Sequence, residues 1–212
     1  MKKIKLGVLI SGSGTTLQNY IDCIKAGTLN ADIACLVSSS EKAYGLVRAK
    51  ENNIPAVTIA RKQYDTVEKF SEVIFKYLKE HGVELVTLAG YLKLIKLPEK
   101  WRDKVMNIHP ALIPAFSGEG WYGIKVHTAV VERGVKITGC TVHFVDNVYD
   151  NGPIIIQKAI PVFHTDTPED VQKRVFEQEK IAYIEAINLF AAGRITISGK
   201  KVCINSEGRS DA

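Results

Sequence analysis

The sequence predicts an α/β fold: a mostly parallel twisted sheet flanked by helices, with an antiparallel strand pair in the C-terminal half. Three observations carry this. Short runs rich in β-branched residues and leucine alternate with stretches of helical periodicity through the first hundred residues, the pattern of βαβ units. A glycine-rich segment, Ser11-Gly12-Ser13-Gly14, follows the first apolar run and opens a helical stretch. Two later apolar runs are joined by a turn-rich connection that suits an antiparallel pair.

Element by element, strands are expected at 5–10, 33–37, 56–59 and 85–89, with helices near 15–26, 43–52 and 65–81. After residue 104 the regular alternation stops. A strand over 105–108 leads into a long loop of proline, glycine and aromatic residues, then a helix near 125–133. Strands at 137–145 and 154–160 flank Asp146-Asn147-Val148-Tyr149-Asp150-Asn151-Gly152-Pro153. Thr167, followed by Pro168-Glu169-Asp170, is the expected N-cap of a long helix running to about residue 190. The organisation expected is one domain over 1–197, in halves of about 1–104 and 105–197, followed by a polar tail over 198–212.

Composition narrows the function classes. The chain has 212 residues, 46% hydrophobic and 24% charged, an ordinary globular balance that argues against disorder, fibrous repeats and membrane embedding. The net charge of +5 attracts anions mildly, but the lysines are scattered and form no basic, aromatic-rich stripe. Small anionic molecules are therefore expected as partners rather than nucleic acid. Cys23, Cys35, Cys140 and Cys203 lie far apart, without a C-x-x-C pair or a histidine at metal-ligand spacing; they read as reduced thiols, and no metal is expected. The apolar run after Met1-Lys2-Lys3 is too short for a signal peptide and reads as a first strand, which implies a cytoplasmic protein.

At the glycine-rich turn, small residues let backbone N–H groups approach an anion, and the helix N-terminus adds positive partial charge. Gly12, Ser13 and Gly14, with the hydroxyls of Thr15 and Thr16, therefore suit a phosphate. A dinucleotide site would want a third glycine where Leu17 stands and an acidic residue where Val37-Ser38-Ser39-Ser40 ends the second strand, so NAD is not expected. The same turn also suits a plain strand-to-helix connection that binds nothing.

Asn107 and His109 stand two residues apart at the end of a strand, so their side chains share a face at the edge where open α/β sheets place their sites. An amide beside an imidazole can stabilise a developing oxyanion, and the imidazole can move a proton. A lone histidine more often serves structure. Asp150 alters that balance if its turn folds back to the strand, because a carboxylate orients an imidazole and can receive a proton through water; Asp-Asn-Gly is equally a good turn former.

Taken in order, Ile10-Ser11-Gly12-Ser13-Gly14, Leu88-Ala89-Gly90-Tyr91, Asn107-Ile108-His109-Pro110, His143-Phe144-Val145 and Asp150-Asn151-Gly152-Pro153 give the chain its resemblance to the folate-dependent phosphoribosylglycinamide formyltransferases, over about residues 4–190. The resemblance implies a Rossmann-like formyltransferase fold. It also implies transfer of the formyl group of 10-formyltetrahydrofolate to the amine of glycinamide ribonucleotide in purine biosynthesis, with neither metal nor NAD. By that resemblance Asn107, His109 and Asp150 match the catalytic trio, and residues 12–16 match the phosphate region. Glu179 matches a ribose-contacting glutamate, although a solvated helix charge explains it equally well. Tyr91, Leu92, Lys93, Leu94 and Ile95 match a folate-pocket segment, and Val145, Asp146, Asn147, Val148 and Tyr149 match the loop that closes over the pterin. The implied halves are thus a phosphate-binding one and a folate-binding, catalytic one, in a monomer or homodimer.

Two departures stand out. Thr16 occupies a position where many members carry asparagine, and Phe116-Ser117-Gly118-Glu119-Gly120-Trp121-Tyr122-Gly123 lengthens the loop after His109. Two related activities, formylation of methionyl-tRNA and hydrolysis of formyltetrahydrofolate, would call for a tRNA-binding or an N-terminal regulatory domain, for which 212 residues leave no expected room. A binding module that kept the glycine turn and lost its chemistry is disfavoured by the presence of all three polar residues.

Overall fold

The computed structural model describes residues 3–205. It contains a seven-stranded, mostly parallel sheet, a separate two-stranded sheet and five α-helices. The chain divides into two compact units, one ending at Asn107 and the other starting at Ile108.

In the first unit, strands β1 (Ile4–Ile10), β2 (Ala31–Ser38), β3 (Ala56–Thr58), β4 (Leu85–Leu88) and β5 (Val105–His109) alternate with helices α1 (Thr15–Lys25), α2 (Gly45–Glu51) and α3 (Val67–Glu80). The order is β3-β2-β1-β4-β5, and every pairing is parallel. Leu6, Val8, Leu9 and Ile10 of β1 are fully buried, as expected of a central strand covered on both faces. The chain leaves β1 toward β2 on one side and later returns to β4 on the other, so the end of β1 is a topological switch point. Gly7 permits α3 to pack closely here: a Cβ on it would stand 2.5 Å from Leu78 Cδ2.

In the second unit, helix α4 (Ile124–Arg133) precedes strands β6 (Ile137–Phe144) and β7 (Ile154–Pro161), which pair antiparallel. Helix α5 (Pro168–Ala191) packs on this pair. Thr167 caps it as the sequence predicts: its hydroxyl accepts from the Asp170 N–H at 3.2 Å, while the Asp170 carboxylate accepts from the Thr167 N–H at 3.0 Å.

Order extends past the point where the sequence suggests a polar tail. Strands β8 (Ile195–Ser198) and β9 (Lys201–Ile204) form an antiparallel hairpin. Ile195, Ile197, Val202 and Ile204 alternate with Thr196, Ser198, Lys201 and Cys203, and Gly199, at φ 61°, supplies the left-handed turn. The run is too short and too polar to announce itself in the sequence. Residues 206–212 of the expected tail lie outside the described residues.

Candidate functional site

The glycine turn leaves β1 at the switch point. Gly14 is left-handed at φ 69° and is the N-cap of α1, whose first two residues are Thr15 and Thr16. A Cβ on Gly14 would stand 2.7 Å from Gly45 Cα, so glycine is required by both conformation and space. The carbonyls of the turn are tied down: Gly12 O accepts from Gly45 N at 3.2 Å, and Ser13 O from Arg48 Nε at 3.0 Å. Among the described residues no acceptor meets the N–H groups of Ser13, Gly14, Thr15 or Thr16. The turn therefore presents donors without partners. Arg48 was not a sequence expectation, since 35 residues separate it from Ser13.

Ser11 joins this turn to the segment after β4. Its N–H donates to Gly90 O at 3.2 Å, and its hydroxyl accepts from Leu92 N at 2.9 Å. Within that segment Tyr91 and Ile95 are buried, Leu94 is half-buried, and Leu92 and Lys93 are exposed. The Tyr91 hydroxyl is buried without a hydrogen-bond partner.

Asn107 and His109 both lie on β5, which ends at His109; alternation along the strand gives them one face. Asn107 is half-buried, whereas His109 is 3% exposed. The segment beyond β5 is anchored by the buried Thr141, whose hydroxyl donates to Ala111 O at 2.7 Å and accepts from Ile113 N at 3.1 Å.

The turn carrying Asp150 folds back to His109. A register shift interrupts β6 between Val142 and His143, and such bulges re-aim side chains. Gly152 presses on β6, where a Cβ would stand 1.8 Å from the Phe144 carbonyl oxygen. Asp150, at φ 51°, directs one carboxylate oxygen to 3.4 Å from His109 Nδ1 and the other to 3.6 Å from His143 Nε2. Gly118 N donates to this carboxylate at 2.9 Å, and Phe116 O lies 2.8 Å from His109 Nε2. The lengthened loop thus contributes backbone groups to both partners.

Burial is the largest influence on His109 and lowers its imidazole pKa. The Asp150 carboxylate and the Phe116 carbonyl oppose it, His143 adds to it, and the net position is below the ordinary value. For Asp150 burial by itself would raise the carboxyl. The His143 ring, then the His109 charge and the Gly118 N–H, outweigh burial and hold the carboxyl below the usual range. A neutral imidazole donating from Nε2 to Phe116 O leaves Nδ1 bare before a carboxylate, an arrangement ready to accept one proton.

Two further histidines belong to this surrounding: His143, expected only as part of a motif, and His127, which was not expected at all. His143 sits between the Phe144 carbonyl, 2.8 Å from its Nδ1, and Asp150. His127 of α4 is 2% exposed with its Nδ1 unpartnered; burial first, then the charge of His109, push it down to about 4. Helical spacing among valines marks His127 only as a core position, so no sequence signal could have found it.

Val145 and Asp146 are half-buried at the start of the Asp150 loop, while Asn147, Val148 and Tyr149 are exposed. Glu179 lies on α5. It is no freely solvated helix charge: although water reaches part of the residue, burial pushes its carboxyl up to about 7. No cluster of three or more His, Cys, Asp or Glu residues able to hold a metal ion occurs among the described residues, and no helix there is long and apolar enough to cross a membrane. Cys23, Cys35, Cys140 and Cys203 are free thiols.

Residues 4–187 match the family model described as formyl transferase. The chain is 38% identical to phosphoribosylglycinamide formyltransferase of Haemophilus influenzae, covering 91% of this chain and 90% of that protein. It is 40% identical to the trifunctional purine biosynthetic protein adenosine-3 of Gallus gallus over 95% of its own length, but spans only 20% of that larger protein. The crystal structure of glycinamide ribonucleotide transformylase 1 from Symbiobacterium toebii superposes with a TM-score of 0.90 at 40% identity, covering 97% of this chain and 95% of that one. The chain belongs to the formyl transferase family.

Proposed function

We propose that this chain transfers the formyl group of 10-formyltetrahydrofolate to the amine of glycinamide ribonucleotide, a step of purine biosynthesis. The observation that carries the reading is the His109 ring at the end of β5, with the Asp150 carboxylate at Nδ1 and the Phe116 carbonyl at Nε2. The likeness to phosphoribosylglycinamide formyltransferase over nine-tenths of both chains supports formyl transfer to this acceptor.

The substrate amine attacks the formyl carbon, a C–N bond forms, and the carbonyl electron pair moves onto oxygen. Asn107 stabilises that oxyanion through its amide N–H, and His109 joins it as its Nε2–H turns from Phe116 O to the new oxygen. The nitrogen, now positively charged, loses its proton through water to the His109–Asp150 pair, which suits the bare Nδ1 facing a carboxylate held ionised. Collapse restores the carbonyl, breaks the bond to N10 of the folate and returns a proton to that nitrogen, releasing tetrahydrofolate. No carbon changes oxidation level, so the reaction needs no nicotinamide, and the oxyanion donors take the place of a Lewis-acid metal.

In this reading Gly12, Ser13, Gly14, Thr15 and Thr16 receive the substrate phosphate through their free N–H and hydroxyl groups. Glu179 contacts the ribose, and its raised pKa lets it act as donor as well as acceptor near neutral pH. Folate binding is assigned to Tyr91, Leu92, Lys93, Leu94 and Ile95 in the first unit and to Val145, Asp146, Asn147, Val148 and Tyr149 in the second, following the resemblance. The protein works in the cytoplasm as a monomer or homodimer, without nucleic-acid or membrane partners.

The decisive assay offers purified protein 10-formyltetrahydrofolate with glycinamide ribonucleotide, methionyl-tRNA or water as acceptor. Transfer to the ribonucleotide alone is expected; release of formate alone would replace the reading with hydrolysis. Asn107→Ala and His109→Ala should each lower kcat by about two to three orders of magnitude, the usual effect of losing an oxyanion donor. Near wild-type turnover in both would sink the mechanism.

A further inference from the structure

The β8–β9 hairpin is fastened at its open end and touches the Asp150 loop at its turn. Arg194, just before β8, donates through Nε to Asn205 O at 2.7 Å, and Asn205 N donates to Arg194 O at 2.9 Å. Asn205 Nδ2 adds a bond to Thr196 Oγ1 at 3.0 Å. At the other end Lys200 Nζ donates to Asn151 Oδ1 at 2.7 Å.

Asn151 passes this contact into the loop. Its amide Nδ2 donates to Asp146 at 2.7 Å, and the other oxygen of Asp146 accepts from Val148 N at 2.8 Å. Lys200, Asn151, Asp146 and the Val148 amide thus form one line of hydrogen bonds. That line encloses Val148 to Asn151, and Asp150 is the residue bonded directly to Asn151.

Asp150 needs such support. Its φ of 51° lies in the left-handed region, where a residue with a side chain is held only if its surroundings determine it. Gly152 presses on Phe144 at the far end of the loop, whereas Asn147, Val148 and Tyr149 are exposed and lack core packing. The hydrogen-bonded line therefore acts on the least packed part of the loop.

We propose that Lys200 is a positioning residue for the reaction: through Asn151 and Asp146 it braces the loop that closes on the formyl donor and presents Asp150. The effect on the donor rests on the formyl-transfer reading above; the brace itself does not. The hairpin serves as a strut between the end of α5 and the catalytic loop.

The test is Lys200→Ala in the full chain, with Lys200→Arg as the conservative control. In Lys200→Ala, amide hydrogen exchange should speed up at Val148 and its neighbours over 146–151, with β6 and β7 unchanged. The KM for 10-formyltetrahydrofolate should rise about three- to ten-fold, while the KM for glycinamide ribonucleotide stays within about two-fold. Lys200→Arg should restore both. Unchanged exchange in the loop, or a loss of protection spread through the strands, overturns the brace. Faster loop exchange with an unaltered donor KM overturns its role in catalysis. A wild-type chain that transfers no formyl group would refute the functional reading, and the exchange measurement would still decide the brace.

Discussion

His127 and Glu179 make opposite predictions for stability against pH over the same range. Burial lowers His127 from 6.5 to about 4 in the folded chain. As pH falls below about 6.5 the unfolded chain takes up this proton first, so stability is lost until the folded value is reached. The fall from 6.5 to about 4 corresponds to about 3 kcal/mol. Glu179 runs the other way. Burial raises it from 4.5 to about 7, so its contribution is complete below about 4.5 and is lost as pH rises toward 7. That contribution is at most about 3 kcal/mol and smaller in practice, because water reaches part of the residue. His109, also lowered by burial, adds to the His127 slope. Asp150, held below the ordinary carboxylate range, acts at lower pH, where its contribution disappears as it is protonated.

The perturbations are therefore His127→Leu and Glu179→Gln, assayed by urea unfolding at intervals between about pH 4.5 and 7.5. Leucine removes a buried polar atom that lacks a partner, so its cost at neutral pH is small. Relative to wild type, the leucine variant should gain up to about 3 kcal/mol as pH falls from 7 to 4.5. The glutamine variant should lose stability relative to wild type over the same fall, because the opposing contribution of the carboxyl has gone. Curves for both variants that run parallel to wild type would refute the reasoning, since neither group would then be shifted by its surroundings.

Gly14→Val should lower the melting temperature, because a β-branched side chain at φ 69° meets Gly45 Cα, and should raise the KM for glycinamide ribonucleotide in the protein that still folds; steady-state kinetics with unchanged ribonucleotide KM would remove the phosphate from this turn. Gly152→Ala should cost about 1–3 kcal/mol through overpacking against the Phe144 carbonyl. It should also lower kcat as Asp150 moves from His109, so a variant with wild-type melting and turnover would show that the loop tolerates displacement.

The sequence disclosed what repeats locally and concealed what depends on distant packing. The alternation of apolar runs and helical periods located β1 to β7 and all five helices, because each element shows its own period to water and core. Asn107 and His109 were legible for the same reason, since two positions on one strand share a face whatever surrounds it. Asp150 was legible only by resemblance: its place depends on the register shift at His143 and the close approach at Gly152, neither of which leaves a periodic trace. Arg48 and His127 carried no sequence signal as candidate-site residues, and His143 entered only as part of the His143-Phe144-Val145 motif, without a role of its own. Their roles arise from contacts across tens of residues or from burial near another ionisable group, while each is locally an unremarkable helix or strand residue. The hairpin after Arg194 shows the same limit for a whole element. Its four-residue strands are shorter than the window in which alternation can be distinguished from polar coil, and they become a structure only when Asn205 and Arg194 close one end. Nothing in the polar composition of residues 198–205 marks Lys200 as different from the other exposed lysines; its 2.7 Å contact with Asn151 does.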